Sequence, residues 1–382
     1  MQSGDLHNLQ KQLAFVCCVL GASSEAVSDL RYQIEELPIP NNVPFTVHQV
    51  YAGKVNELGQ VFATVTGSKF DGQHVVRPYL FQSGQWTGLP VPESVRESYS
   101  NVFNNSGNAS TTEFATSDPS APSECRLFEH GDSIEVLPET FLVPLAVADD
   151  GWYAGQYLTD RTAQAKLRSA IYKDGVRIDI GTLGGDRTEA RAMNNNHQIV
   201  GFSAAATGGY GFIWENGLMR KLTHPELLRI SPSAISDNGW IAGGAEGKDG
   251  NTTMITMRGA EVYQHEYQPD YAQIIGAIDL QGTAVGHRAK VGASGLLQEA
   301  LIYDHGQRDL IWSISDADSK GWSTLNNATD INDFGVICGW GTKKNGQIRG
   351  WIARPVPEPA GWLALGTGAL AVGLRRSRKY QG

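Results

Sequence analysis

The chain has 382 residues, a hydrophobic fraction of 41% and a formal net charge of −9. Its length accommodates two ordinary domains or one large repeat domain, and its apolar content is ample for a core. The acidic balance argues against general nucleic-acid binding, which needs a strongly basic surface. Glycine is abundant, with 44 residues, and turn signals recur, which favours many short strands.

The first element is an apolar run of nine residues, Leu13 to Gly21 (LAFVCCVLG), preceded by Lys11 and followed by small residues. It reads as the core of a secretory signal peptide occupying residues 1–26, with cleavage near Ala22 or Ala26 and export through the Sec machinery. Asp5 departs from the positive region expected there, and a buried strand is the alternative reading. Cys17 and Cys18 leave with the leader, and the Phe15-Val16 before them makes no lipobox. Cys125 and Cys338 remain, either paired after export or free and buried.

Residues 30–354 carry one pattern seven times. It consists of a polar turn ending in glycine, a short apolar strand, a variable loop, a strand with an aromatic, and a second glycine turn. The fullest copy runs from Ala190 (ARAMNNNHQIVG) to Leu222 (GFIWENGLMRKL). The first-turn position is Gly59, Gly107, Gly151, His197, Gly239, Gly282 and Gly335, so the spacings run from 42 to 53 residues. A period near this length with about four short strands per unit predicts an all-β fold, a seven-bladed β-propeller. The seventh copy stops at Arg354, before its fourth strand. Tyr32–Leu37 (YQIEEL) resembles that strand, so the N-terminal segment is expected to complete the last blade and close the ring. An open β-solenoid is the second possibility. The segment at residues 179–222 resembles the bacterial HAF-repeat family of extracellular proteins. That resemblance implies an exported repeat protein and no established chemistry.

The last element is VPEPAGWLALGTGALAVGLRRSRK, residues 356–379. Pro357-Glu358-Pro359 is stiff and extended. Ala360 to Leu374 is uncharged and apolar, a short candidate transmembrane helix. Arg375, Arg376, Arg378 and Lys379 form a basic stop that predicts a cytoplasmic C-terminus. The order of these three parts resembles the PEP-CTERM sorting signal of Gram-negative bacteria. The resemblance implies that residues 355–382 are a sorting tail recognised at Pro357, Glu358 and Pro359 and removed by exosortase, a membrane-embedded protease. The protein would then be anchored transiently before reaching the cell surface or the medium.

No catalytic, metal or cofactor site is expected from the motifs. The turn acids Asp149, Asp150, Asp237, Asp279, Asp330 and Asp333 recur with the repeat, so they read as structural. The histidines lack zinc spacing, and neither a nucleophile elbow nor a Walker loop occurs. Trp240 and Trp340 read as core residues, with stacking on sugar rings as the alternative. One charge asymmetry suggests a binding face. The loops joining second and third strands, taken as residues 64–78, 110–124, 157–169, 203–210, 244–253, 287–298 and 341–349, are richer in Lys and Arg than the rest. Arg161, Lys166, Arg168, Arg288, Lys290, Lys343, Lys344 and Arg349 would attract an anionic exopolysaccharide. The expected function is therefore a non-enzymatic exported propeller that binds a polysaccharide or a protein partner. A polysaccharide hydrolase or lyase on the same fold is the alternative.

Overall fold

The computed structural model describes residues 32–114, 123–137, 141–160, 164–265, 268–291, 298–304, 307–309 and 316–356. The leader, the sorting tripeptide, the apolar run at residues 360–374, its basic stop and Arg161 lie outside the described residues. Among the described residues no helix is long and apolar enough to cross a membrane. The chain divides into Tyr32–Pro355 and a second unit made of its two ends.

Every described element is a strand. After β1 (Tyr32–Glu36) the chain forms consecutive four-stranded meanders. The first is β2 (Thr46–Val55), β3 (Val61–Ser68), β4 (His74–Gln82) and β5 (Gln85–Gly88), and the second is β6 (Glu97–Phe103), β7 (Ala109–Phe114), β8 (Ser123–Glu129) and β9 (Asp132–Leu137). Then come β10 (Phe141–Val147), β11 (Tyr153–Leu158), β12 (Leu167–Lys173) and β13 (Val176–Asp179), followed by β14 (Thr188–Met193), β15 (Ile199–Ala205), β16 (Gly208–Glu215) and β17 (Leu218–Lys221). The fifth meander is β18 (Leu227–Ile235), β19 (Ile241–Gly247), β20 (Thr252–Arg258) and β21 (Glu261–His265). The sixth is β22 (Tyr271–Ile278), β23 (Ala284–Lys290), β24 (Gln298–Tyr303) and β25 (Gln307–Asp309). Last are β26 (Trp322–Ile331), β27 (Ile337–Lys343) and β28 (Ile348–Pro355). A single parallel pairing, Val76 with Glu97, joins the first two meanders into one eight-stranded sheet. The other sheets have four strands each.

The expected N-terminal contribution is present as a pairing. β1 lies antiparallel on β28, Tyr32 opposite Pro355 and Glu36 opposite Trp351, and takes the outer place in the order β1-β28-β27-β26. Tyr32 and Ile34 are buried with Gln33 exposed between them, so alternate side chains of this strand enter the core as the period-two pattern requires.

Apolar side chains pack between successive sheets. Phe62 meets Ala109 and Phe128; Leu127 meets Tyr153 and Tyr172; Ala154 and Ile171 meet Ile199 and Phe212; Val200 meets Ile241 and Ile255; Trp240 meets Leu301 and Tyr303. Val61 and Val65 lie in one cluster with Cys338 and Ile352. Second strands are therefore covered on both faces. The β3 sequence VFATVTG is buried throughout, and such strands lose the alternation of one-sided strands. Cys125 and Cys338 are free and buried.

Both turns of the repeat have the backbone their sequences foretell. Gly59, Gly107, Gly151, Gly239, Gly282 and Gly335 all have positive φ, and His197 in the same place has φ 56°. In the first four repeats the second turns pair two positive-φ residues: Ser83-Gly84, His130-Gly131, Asp174-Gly175 and Asn216-Gly217. This is the type I′ signature of a two-residue hairpin. A second glycine has a different cause. A Cβ on Gly201, Gly243, Gly286 or Gly339 would lie 1.9–2.2 Å from a carbonyl oxygen of the strand beside it. Each faces a β-bulge in that inner strand, where the extra residue bends the backbone toward its neighbour.

The expected loops between second and third strands are shorter than the sequence suggested. Arg168 is in β12, Arg288 and Lys290 in β23, Lys343 in β27 and Arg349 in β28. Polar and charged side chains on those strands masked their continuation.

The turn geometry predicts two distinct penalties. A Cβ on Gly59 would meet nothing within 4 Å, whereas one on Gly282 would stand 2.9 Å from the Trp240 ring. Gly59→Ala should cost ~1 kcal/mol from its positive φ alone, and Gly282→Ala ~3 kcal/mol because a packed ring must also shift. Denaturant unfolding of the two variants checks the difference.

Candidate functional site

Seven first turns come together through their polar residues. In every turn but the third, which is led by Ala148, the leading polar side chain first organises its own backbone. Asn56 Oδ1 accepts from the backbone N–H groups of Leu58 and Gln60 at 3.1 and 3.0 Å, and Asn194 Oδ1 from those of Asn196 and Gln198 at 3.1 and 2.9 Å. Asn332 serves Phe334 and Val336, and Asp279 serves Gln281 and Thr283. These are Asx turns, in which a short side-chain carbonyl replaces a backbone acceptor.

The amide nitrogen of the same residue then reaches the next turn. Asn56 Nδ2 donates to Asn104 O at 3.2 Å, Asn104 Nδ2 to Ala148 O at 2.7 Å, Asn194 Nδ2 to Ser236 O at 2.9 Å and Asn332 Nδ2 to Asn56 O at 3.0 Å. A second circuit runs through the following residue. The N–H of Glu57 donates to Asn105 Oδ1 at 2.8 Å, that of Asn105 to Asp149 Oδ1 at 2.9 Å, that of Asp149 to Asn195 Oδ1 at 2.7 Å and that of Asn195 to Asp237 Oδ1 at 2.8 Å. The N–H of Leu280 donates to Asp333 Oδ1 and that of Asp333 to Glu57 Oε1, both at 3.0 Å. Leu280 has no side-chain acceptor, so the link at that step is Asn238 Nδ2 to Leu280 O, 2.7 Å.

Inside these turns lies a cavity of about 180 Å³, lined by the inner strands β2, β6, β10, β14, β18, β22 and β26. Val, Ala, Ile and Met are the commonest residues in its lining. Its charged members are Lys54, Arg191 and Asp330. Asp330 is committed: Lys54 Nζ stands 3.4 Å from Oδ1, and the N–H of Val55 donates to Oδ2 at 3.0 Å. Burial raises the Asp330 carboxyl above its ordinary range, and Lys54 opposes the rise. Arg191 donates to Ser231 Oγ at 2.9 Å and to the Pro232 carbonyl at 3.3 Å.

The turn acids are thus placed as a structural set. Asp149 Oδ2 also accepts from Asn105 and Asn195, and Asp150 lies 3.0 Å from His197. Burial is the leading cause that raises Glu57 and Asp333, with neighbouring carboxylates adding to the rise. Asp279, 3% exposed, is pushed up to about 6 by burial, against the backbone N–H groups it accepts from. Among the described residues no three His, Cys, Asp or Glu side chains stand close enough to hold a metal ion.

The basic residues expected on the loop face are scattered among ion pairs. Arg168 lies 3.8 Å from Asp179, Arg288 Nε 2.7 Å from Glu299, Lys343 2.8 Å from Glu36 and Lys344 2.6 Å from Asp318. Arg349 is 4% exposed, donates to the His48 carbonyl at 3.0 Å and lies 3.7 Å from Glu36. Lys166 and Lys290 are exposed and have no carboxylate partner among the described residues. Trp240 and Trp340 are both buried; Arg258 stacks over Trp240, and Tyr51 meets Trp340 edge-on. The turn-to-turn circuit itself was not legible in the sequence. Its only trace is the Asn or Asp that recurs in adjacent turn positions.

Asp279 carries a pH test. A carboxyl whose folded pKa lies above its unfolded value weakens the fold as it ionises, so its contribution is lost as pH rises from about 4 to about 6. Asp279→Asn keeps the Oδ1 acceptor and adds the amide that Asn194 and Asn332 use. At pH 7 this variant should be more stable than the parent by ~1–2 kcal/mol, with the gap closing below about pH 4. Thermal melts across that range measure it.

No protein-family model matches the chain, and no curated protein matches it in sequence. Among solved structures, the acylaminoacyl peptidase of Pyrococcus horikoshii is similar with a TM-score of 0.55 and 10% identity, over 84% of this chain and 54% of that one. The chain thus spans about half of that enzyme. The β-propeller domain of the trilobed protease from Pyrococcus furiosus, with its open velcro topology, gives a TM-score of 0.41 and 8% identity over 70% of this chain and 96% of that one. A Trypanosoma rangeli sialidase gives 0.39 and 11% over 90% of this chain and 62% of that one. At such identities the likeness is one of fold alone: the chain has an all-β, propeller-like architecture.

Proposed function

We propose that this chain is an exported binding module, a seven-bladed propeller closed by β1, and not an enzyme. The observation that carries the reading is the fate of the turn carboxylates. Glu57, Asp149, Asp237 and Asp333 each accept a backbone N–H of a neighbouring turn. Glycoside hydrolysis by the usual route needs a pair of carboxyl groups facing a substrate, one of them free to exchange a proton. Here the acids that converge are those that join the turns, and the cavity beneath them offers only the Lys54-paired Asp330. Closure is supported by the pairing of β1 with β28 and by the hydrogen bonds from Asn332 and Asp333 to the first turn.

The two ends supply the address. The N-terminal apolar run would direct export, and Pro357-Glu358-Pro359 with the apolar run and basic stop would deliver the folded body to an exosortase-type protease. Release then leaves a β-sheet body at the cell surface or in the medium. Its target would be a polysaccharide or a protein partner. An anionic exopolysaccharide would be met by Lys166 and Lys290, since ion pairs or burial engage five of the other basic side chains.

Two experiments test this. Full-length protein followed in hosts with and without an exosortase should lose mass and its membrane association only where the enzyme is present; identical mass and location in both would sink the sorting assignment. Processed protein should be retained on an acidic polysaccharide column, releasing no reducing sugar, with retention lost in a Lys166→Glu/Lys290→Glu variant and falling as salt is raised. Turnover of any polysaccharide by the parent would reinstate the enzyme.

A further inference from the structure

The cavity between the inner strands holds one cation that the repeat does not explain. In all seven repeats the inner strand carries a β-bulge at the same place, three residues before the one that leads the turn. The bulged residue is uncharged in six of them, Gly53, Asn101, Leu145, Ser233, Gly276 and Thr329, and is Arg191 in the fourth. A bulge re-aims its side chain, and here it brings a guanidinium to the cavity wall. The next place along each strand also lines the cavity. It is Ala146, Ala192, Ala234 and Ala277 in four repeats, which leaves space open, and it is charged only at Lys54 and Asp330, which pair with each other. Arg191 is left as a surplus positive charge.

The hydrogen bonds of Arg191 leave one edge of the side chain free. Nη1 makes both of them, to Ser231 Oγ and to the Pro232 carbonyl on β18. Thr329 meets the equivalent carbonyl, that of Ala52, with a hydroxyl at 2.9 Å, so holding the neighbouring strand needs no charge. Nε and Nη2 of Arg191 have no partner among the described residues. In a planar guanidinium these two donors form an edge that faces away from Nη1, and so away from β18. Arg126 uses the same edge to hold Glu113, with Nε at 2.9 Å and Nη2 at 3.0 Å. Arg187, Arg229 and Arg288 also pair with carboxylates. Arg191, partly buried, pairs with none among the described residues. A cation held out of bulk water favours a counterion, and a fork of two parallel donors suits a carboxylate.

We propose that the cavity binds a small organic carboxylate, its two oxygens on Nε and Nη2 of Arg191 and its carbon stem in the space left by Ala146, Ala192 and Ala234. At about 180 Å³ the cavity is smaller than the roughly 300–1,000 Å³ of sites for drug-sized ligands. That limits the stem to a few carbons and excludes a polymer. The assignment rests neither on the sorting signal nor on polymer binding through Lys166 and Lys290.

Ligand-detected NMR on full-length protein with butyrate, its neutral isostere butyramide and inorganic phosphate tests it. Butyrate should bind with a dissociation constant below about 10 mM, and butyramide and phosphate at least about tenfold more weakly. Arg191→Gln, which keeps a donor for the Pro232 carbonyl and removes the charge, should abolish butyrate binding. Arg191→Lys, which keeps the charge without the fork, should weaken it about tenfold. Lys69→Gln, an equal charge change on the exposed surface, should leave it unchanged. Butyrate and butyramide are compared on the parent protein, so that arm stands even where a variant fails to fold. Absence of butyrate binding, butyramide or phosphate binding as tightly as butyrate, or unaltered butyrate binding in folded Arg191→Gln would overturn the proposal.

Discussion

The hydrogen bonds between successive first turns are the constraint on which the rest of this structure depends. A four-stranded meander of this size has two apolar faces and cannot bury both alone. Packing beside another meander covers them, but apolar contact is non-directional and fixes neither spacing nor tilt. The turn circuit adds direction. Each N–H of Glu57, Asn105, Asp149 and Asn195 has one acceptor, on the next turn, at 2.7–2.9 Å. The inner strands that these turns end contribute residues to the cavity lined by Lys54, Arg191 and Asp330.

This use of polar groups limits what the same groups can do chemically. A carboxylate that holds a backbone N–H is stabilised as an acceptor in a fixed orientation, and removing it for proton transfer would release the neighbouring turn. Asp279 marks the tension most clearly. Burial pushes it up to about 6, while its Oδ1 serves two N–H groups. The copies with Asn at this place avoid the charge and keep the acceptor. Of the described cationic groups expected on the loop face, those that remain open to solvent and unpaired are Lys166 and Lys290.

The glycines illustrate how much one residue type conceals. Gly59 and its counterparts are present because the turn needs positive φ, which the Asn/Asp-Gly pattern announces. Gly201, Gly243, Gly286 and Gly339 are present because a bulged strand brings a carbonyl to about 2 Å from where a Cβ would be. Only the second group depends on the strand alongside, and only the structure distinguishes the two.

Strand number, repeat period, turn positions and the role of His197 in a glycine's place were all legible from the sequence, because they follow from local rules: period-two burial, φ preference and hairpin chemistry. The matching of Tyr32–Glu36 to the free edge of β28 was legible too, since one copy lacked a strand and another segment resembled it. Charge was not. Arg168, Arg288, Lys343, Lys344 and Arg349 read as an open basic face, but each meets a carboxylate on another strand or loop. A side chain's net effect depends on what stands within a few ångströms in space. The sequence determined the repeating unit and its edges; the packing of one unit on the next decided which polar groups remained available to a ligand, because that packing sets their partners.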